Sequence, residues 1–318
     1  MNKILLLFLL PAYLFSQTSP KKEGYTSYNI KQKNDTINFF LRSSKKIAPK
    51  HLFILIEGSA PMPINMKVNG ICCSSYDIIN SKLIPKDYAY VVIAKHGYSF
   101  YDEQNKIPKN YWKKKTLDFR VHRVDEVIKY VKKNIFSPKN VVIVGISQGS
   151  DVVAKLGTIN KDVTHIGFWA GGGYNPLTDF LIMARKDVYR GKITEDKATK
   201  ITDSLLTQID KMYKNPSPNK FWDGNSYLSY VSFSEAPIDN LLKIDIPIFV
   251  AIGTSDENVP VESAYIIPIE FMKHKKKNLT FKYYPKYDHG FVEIKSDSLQ
   301  IDRFDKVTKE FINWLQKN

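Results

Sequence analysis

The sequence predicts a single α/β domain built around a mostly parallel sheet. Two observations carry that reading. Apolar runs at 51–56, 88–94, 141–144, 163–169 and 247–252 are almost unbroken, as in strands buried on both faces. Between them lie segments whose apolar residues recur at helical spacing, and such alternation builds a parallel sheet covered by helices. A chain of 318 residues is long enough for one large domain of this class.

The elements follow in order. Residues 25–31 and 36–42 read as strands flanking Asn34-Asp35, a turn pair. The run 51–56 ends in Glu57-Gly58-Ser59, and 88–94 ends in Lys95-His96-Gly97; each is a strand entering a loop. Leu117, Val121, Val124, Ile128 and Val131 are spaced four, three, four and three apart, which places them on one helix face. Pro138 then breaks the chain before the strand 141–144. Helices are expected over 150–159, over 261–273 despite Pro268, and over 299–315, with further strands over 163–169, 247–252 and 279–284. Residues 174–241 fit no strand of this series. They hold charge-rich helical stretches and an aromatic segment with Phe221, Trp222, Tyr227, Tyr230 and Phe233, so they read as a cap inserted into a domain spanning 25–318.

Hydrophobic residues at 43% and charged residues at 25% exclude a disordered chain. Met1-Asn2-Lys3, the almost wholly apolar run 4–15 and the polar exit at Ser16-Gln17 describe a secretory signal over 1–16. The run falls short of the roughly 20 residues a bilayer span needs. No Cys follows it to carry a lipid, so the mature protein is expected to be secreted or periplasmic with no stable membrane anchor. Cys72 and Cys73 are neighbours, which close a disulfide with difficulty, and are expected to be free buried thiols. The net charge of +15 suits anionic surfaces, but the lysines are scattered and no nucleic-acid motif accompanies them. There is no phosphate-loop motif and no close histidine pair with a carboxylate, so neither metal nor cofactor is expected.

Gly145-Ile146-Ser147-Gln148-Gly149 stands between an expected strand and an expected helix. A serine on so tight a turn projects its hydroxyl clear of a strained backbone, and the positions two before and two after crowd neighbouring chain and favour glycine. The helix that follows aims its N–H groups and dipole at the same point. Ser147 is therefore the candidate nucleophile. Of six histidines, His289 lies in a loop after the strand 279–284, and the ends of parallel strands share one edge; it is the candidate base, with His96 the alternative. Asp256, in Gly253-Thr254-Ser255-Asp256, follows the strand 247–252 and is the candidate acid; Glu257 and Asp288 are its rivals. The backbone N–H groups of Gln148 and of Ser59 are the candidate oxyanion donors. Trp222 is the candidate substrate-binding residue of the cap.

The elbow Gly145 to Gly149, the acid loop Gly253 to Pro260, Asp288-His289-Gly290 and the chain order Ser, Asp, His resemble the α/β-hydrolase superfamily. Within it the sequence is similar to the prolyl-oligopeptidase and dienelactone-hydrolase group. The resemblance implies an α/β-hydrolase fold, with an eight-stranded, mostly parallel sheet and helices on both faces. It also implies a serine hydrolase that cleaves a carboxylic ester of a small molecule through an acyl-serine intermediate. One motif departs from the family: the His-Gly often found after the third strand is Glu57-Gly58 here. A peptidase of prolyl-oligopeptidase type is a second reading, lowered because about 25 residues before the first strand cannot form a β-propeller. A catalytically silent binding protein on the same scaffold is the third.

Overall fold

The computed structural model describes residues 19–318 other than 69–70, 76–78, 81, 104 and 297, with only the backbone of 68 and 71–75. The signal expected over 1–16 lies outside the described residues, as do the side chains of Cys72 and Cys73.

Eight strands form the central sheet: β1 (Thr26–Gln32), β2 (Asp35–Arg42), β3 (His51–Ile56), β4 (Tyr88–Ile93), β5 (Asn140–Ile146), β6 (His165–Trp169), β7 (Ile248–Gly253) and β8 (Leu279–Tyr284). Their spatial order is β1-β2-β4-β3-β5-β6-β7-β8. β2 pairs antiparallel with both β1 and β4, and every other neighbouring pair is parallel. Parallel pairing brings the C-terminal ends of β3, β5, β7 and β8 to one edge of the sheet. The strand order reverses between β3 and β5, where open α/β sheets form their crevice.

The helices are α1 (Tyr111–Lys114), α2 (Leu117–Asn134), α3 (Gln148–Ile159), α4 (Leu177–Tyr189), α5 (Glu195–Lys214), α6 (Tyr227–Ser232), α7 (Pro237–Leu241), α8 (Val261–Ala264), α9 (Ile266–Lys273) and α10 (Phe304–Leu315). Period-two alternation divides the core in two. Leu52, Ile54, Ile143 and Val250 pack with Val124 and Ile128 of α2, Val153 of α3 and Phe271 of α9. Phe53, Val142, Val144 and Phe249 point the other way, onto Val307, Phe311 and Trp314 of α10. The sheet is thus covered on both faces. Residues between β6 and β7 supply α4 to α7 and a two-residue hairpin, Phe221–Trp222 with Asn225–Ser226.

Two expected helices differ from the structure. Residues 299–315 are not one helix, because Leu299–Asp302 pairs antiparallel with Val292–Ser296 and α10 begins only at Phe304. Asp302 Oδ1 accepts the Phe304 N–H at 2.8 Å, which ends the strand and starts the helix. The helix expected over 261–273 is divided at Tyr265, which leaves Pro268 in the first turn of α9, where a missing N–H is harmless. The short strands Asn65–Val68, Ile71–Ser75 and Tyr101–Glu103 form a separate sheet that the apolar pattern does not announce.

Candidate active site

Ser147 joins β5 to α3 with φ 56° and ψ −129°, a left-handed conformation that a side chain rarely adopts. Neighbouring chain enforces the turn. A Cβ on Gly145 would lie 2.1 Å from the Gly149 carbonyl oxygen, and one on Gly149 would lie 2.2 Å from that of Ile56. Only hydrogen fits at either place, so the two glycines let the elbow sit directly against the end of β3. The Ser147 N–H donates to the Trp169 carbonyl at 2.9 Å, and its own carbonyl accepts from the Ser150 hydroxyl at 2.6 Å.

Asp256 is fully buried just beyond β7, and its Oδ2 lies 2.7 Å from Nδ1 of His289, just beyond β8. Its other oxygen, Oδ1, accepts the N–H groups of Asn258 and Val259, each at 2.8 Å. The carboxylate is therefore held by its own loop with one oxygen left for the imidazole. Its rivals are engaged elsewhere. Glu257 is exposed and pairs with Arg190 at 2.8 Å and Lys192 at 3.3 Å. Asp288 shapes the histidine loop by accepting from the N–H groups of Gly290 and Val292, both at 2.8 Å. His96 is bound to Asp35 at 2.8 Å, in a network with Arg123 on the far side of the β3 loop.

Ser147 and His289 line one cavity of about 1020 Å3 that opens over the C-terminal edge of the sheet. Among the described residues no hydrogen bond joins their side chains. Such contacts commonly tighten only when substrate is bound. The N–H groups of Gln148, at the start of α3, and of Ser59, beyond β3, donate to no group among the described residues. A Cβ placed on Gly58 would lie 3.1 Å from the Ser147 Cβ, so this loop runs hard against the elbow.

The departure at Glu57 is met by groups that the motifs did not reveal. Glu57 is buried and pairs with Lys95 at 3.2 Å, and Lys95 also donates to the Ala60 carbonyl at 2.5 Å. Burial pulls Lys95 down to about 8 against the opposing pull of Glu57. Arg120 of α2 donates to the Glu57 carbonyl, to the Gly58 carbonyl at 3.3 Å and to Gln148 Oε1 at 3.2 Å. One guanidinium thus ties the β3 loop to the first residue of α3, the two segments that carry the free N–H groups. The signal was present: Arg120 lies three residues after Leu117 and four before Val124, a charge on the apolar face of α2.

In the cap, Trp222 packs on Phe180 at 4.8 Å and Tyr230 at 5.4 Å between ring centroids. Phe180 and Tyr230 line the cavity, as does Phe233, and Trp222 stands behind the first two. Phe221 is exposed and rests on Trp112, and the Tyr227 hydroxyl accepts from Gln208 at 2.6 Å.

Comparison with known proteins agrees with this architecture. Residues 224–318, which carry Asp256 and His289, match the model of the Dienelactone hydrolase family. In structure the chain is similar to Est1E from Butyrivibrio proteoclasticus, at 15% identity and a TM-score of 0.53, over 92% of this chain and 98% of that one. It is also similar to an esterase of Pyrococcus furiosus, at 13% identity and a TM-score of 0.54, over 95% of this chain and 93% of the other. The acylaminoacyl peptidase of Pyrococcus horikoshii aligns at 12% identity and a TM-score of 0.57, over 92% of this chain but only 41% of the peptidase. No curated protein matches the chain in sequence. The fold is the α/β-hydrolase fold, as the motifs led one to expect.

Proposed function

We propose that this chain is an exported serine hydrolase that cleaves a carboxylic ester of a small molecule through an acyl-serine intermediate. The observation that carries the reading is the strained Ser147 elbow on the same sheet edge, and in the same cavity, as a histidine held by a buried carboxylate. Substrate enters with its carbonyl over Ser147. His289 Nε2 takes the hydroxyl proton as Oγ attacks the carbonyl carbon, and Asp256 holds Nδ1–H and offsets the charge on the imidazolium. The N–H groups of Gln148 and Ser59 receive the oxyanion. The tetrahedral adduct expels the alcohol, which His289 protonates. Water then repeats the sequence on the acyl-serine and releases the acid.

Among the solved structures that the chain resembles is an esterase, which supports an ester substrate. The test is direct. A fluorophosphonate probe should label the wild-type protein and not Ser147→Ala, and turnover of short p-nitrophenyl esters should fall by several orders of magnitude in the variant, as loss of a triad member usually does. Ester hydrolysis that persists undiminished in purified Ser147→Ala would overturn the reading.

A further inference from the structure

The lining of the Ser147 cavity is rich in acidic side chains although the protein as a whole is basic. The chain carries 47 Lys and Arg against 32 Asp and Glu. Yet the cavity is lined by Asp151, Asp179, Asp187, Asp223, Glu257 and Asp302, with no Lys or Arg among its described lining residues. Three of the six have structural employment. Glu257 and Asp187 pair with Lys192, at 3.3 and 3.8 Å, and Asp302 starts α10. Asp223 occupies the turn of the cap hairpin.

Asp151 and Asp179 have none. They are 7% and 6% exposed, and among the described residues neither belongs to an ion pair. Among the described residues, Oδ1 of Asp179 is buried without a hydrogen-bond partner. Ser263 stands beside it and eases its burial, but its hydroxyl makes no hydrogen bond of ordinary geometry either. Both acids sit in the first turn of their helices, α3 and α4, where the dipole favours an anion, yet neither helix end is capped by a side chain. A buried carboxyl left in this condition costs stability. Such groups are expected where a ligand completes them.

We propose that Asp151 and Asp179 form a subsite for a cationic group with N–H donors, a primary ammonium or a guanidinium, carried by the ester that Ser147 cleaves. The proposal rests on the hydrolase reading above and names its substrate class. N–H donors are required because the open place at Asp179 is that of an acceptor. Phe180 and Tyr230 supply the apolar and π surface beside which such a cation is favoured. A metal ion is a poorer fit: among the described residues no three His, Cys, Asp or Glu side chains are grouped to hold one.

The surroundings set the pH dependence. Burial pushes Asp179 up to about 7; Asp256, from the loop after β7, adds to this, and Ser263 of α8 opposes it. Asp151 is raised by burial and by Asp179, against the pull of Arg120 from α2. The cation selects the ionised carboxylate, so its binding releases a proton and tightens as pH rises through about 7.

The experiment uses two esters, Nα-acetyl-lysine methyl ester and Nα-acetyl-norleucine methyl ester, whose side chains end in ammonium and methyl. Their kcat/KM ratio cancels whatever pH dependence the chemical steps have in common. In the wild type the ratio should exceed ten at pH 8 and fall on acidification through pH 7. In Asp179→Asn it should drop at least tenfold and lose that pH dependence. Calorimetry of benzylamine, benzyltrimethylammonium and benzyl alcohol binding to Ser147→Ala reads the subsite without turnover, and benzylamine should bind tightest. A ratio near one in the wild type, a ratio unchanged in Asp179→Asn, or equal binding of the three probes would each overturn the subsite. If benzylamine is preferred while purified Ser147→Ala still hydrolyses p-nitrophenyl esters undiminished, the hydrolase reading fails and the cation subsite stands.

Discussion

Replacing Asp256 by Asn tests the triad through a detail of its loop. Oδ1 accepts two backbone N–H groups at 2.8 Å, and an amide can keep those bonds only by placing its oxygen there. The NH2 group must then occupy the Oδ2 position, 2.7 Å from His289 Nδ1. It donates where the carboxylate accepted, so Nδ1 becomes the acceptor and Nε2 carries the proton. The imidazole then presents a proton to Ser147 instead of a lone pair, although no atom has moved. A loss of this kind reaches about 10⁴-fold in kcat, or roughly 5.5 kcal/mol of transition-state stabilisation. The assay is steady-state hydrolysis of a p-nitrophenyl ester alongside thermal melting, with Asp288→Asn as the control. Among the described residues Asp288 accepts only from its own loop, so Asn there should change kcat by less than about tenfold on the scale of ordinary surface polar changes. A mild effect at 256 with a crippling one at 288 would refute the assignment of the acid.

Two further outcomes are expected. Arg120→Ala removes the link between the β3 loop and Gln148, and kcat should fall by about 10- to 100-fold with KM little changed, as a slack oxyanion site predicts; an equal rise in KM with kcat intact would refute this positioning role. Trp222→Ala takes away the support behind Phe180 and Tyr230 and should shift the kcat/KM ratio of bulky to small esters on the order of tenfold, whereas an unchanged ratio with a lowered melting temperature would make Trp222 packing alone.

What could be read from the sequence was whatever is local. The elbow is legible because its constraint falls on five consecutive residues, and its two glycines answer contacts that any such turn must make. The Asp256 and His289 loops follow from strand order once the sheet is known to be parallel. The hairpin that displaces the first residues of the expected helix 299–315 escapes notice because Val292–Ser296 must be found as its partner. Arg120 is visible only as a charge in an apolar stripe, and its three partners come from two other segments. Asp151 and Asp179 read in sequence as ordinary first-turn acids. Their burial arises only when α3 and α4 converge over the cavity.

The position of β8 has a consequence for how this protein loses activity. Ser147 springs from β5, which has strands on both sides, but His289 hangs from β8, which is at the edge of the central sheet and pairs there with β7 alone. Proteins open in units, and edges open before centres. Release of β8 would carry His289 away from Asp256 while Ser147, α3 and most of the core stayed in place. Activity therefore reports the stability of one edge, and amide exchange along β8 should track inactivation long before the body of the sheet gives way.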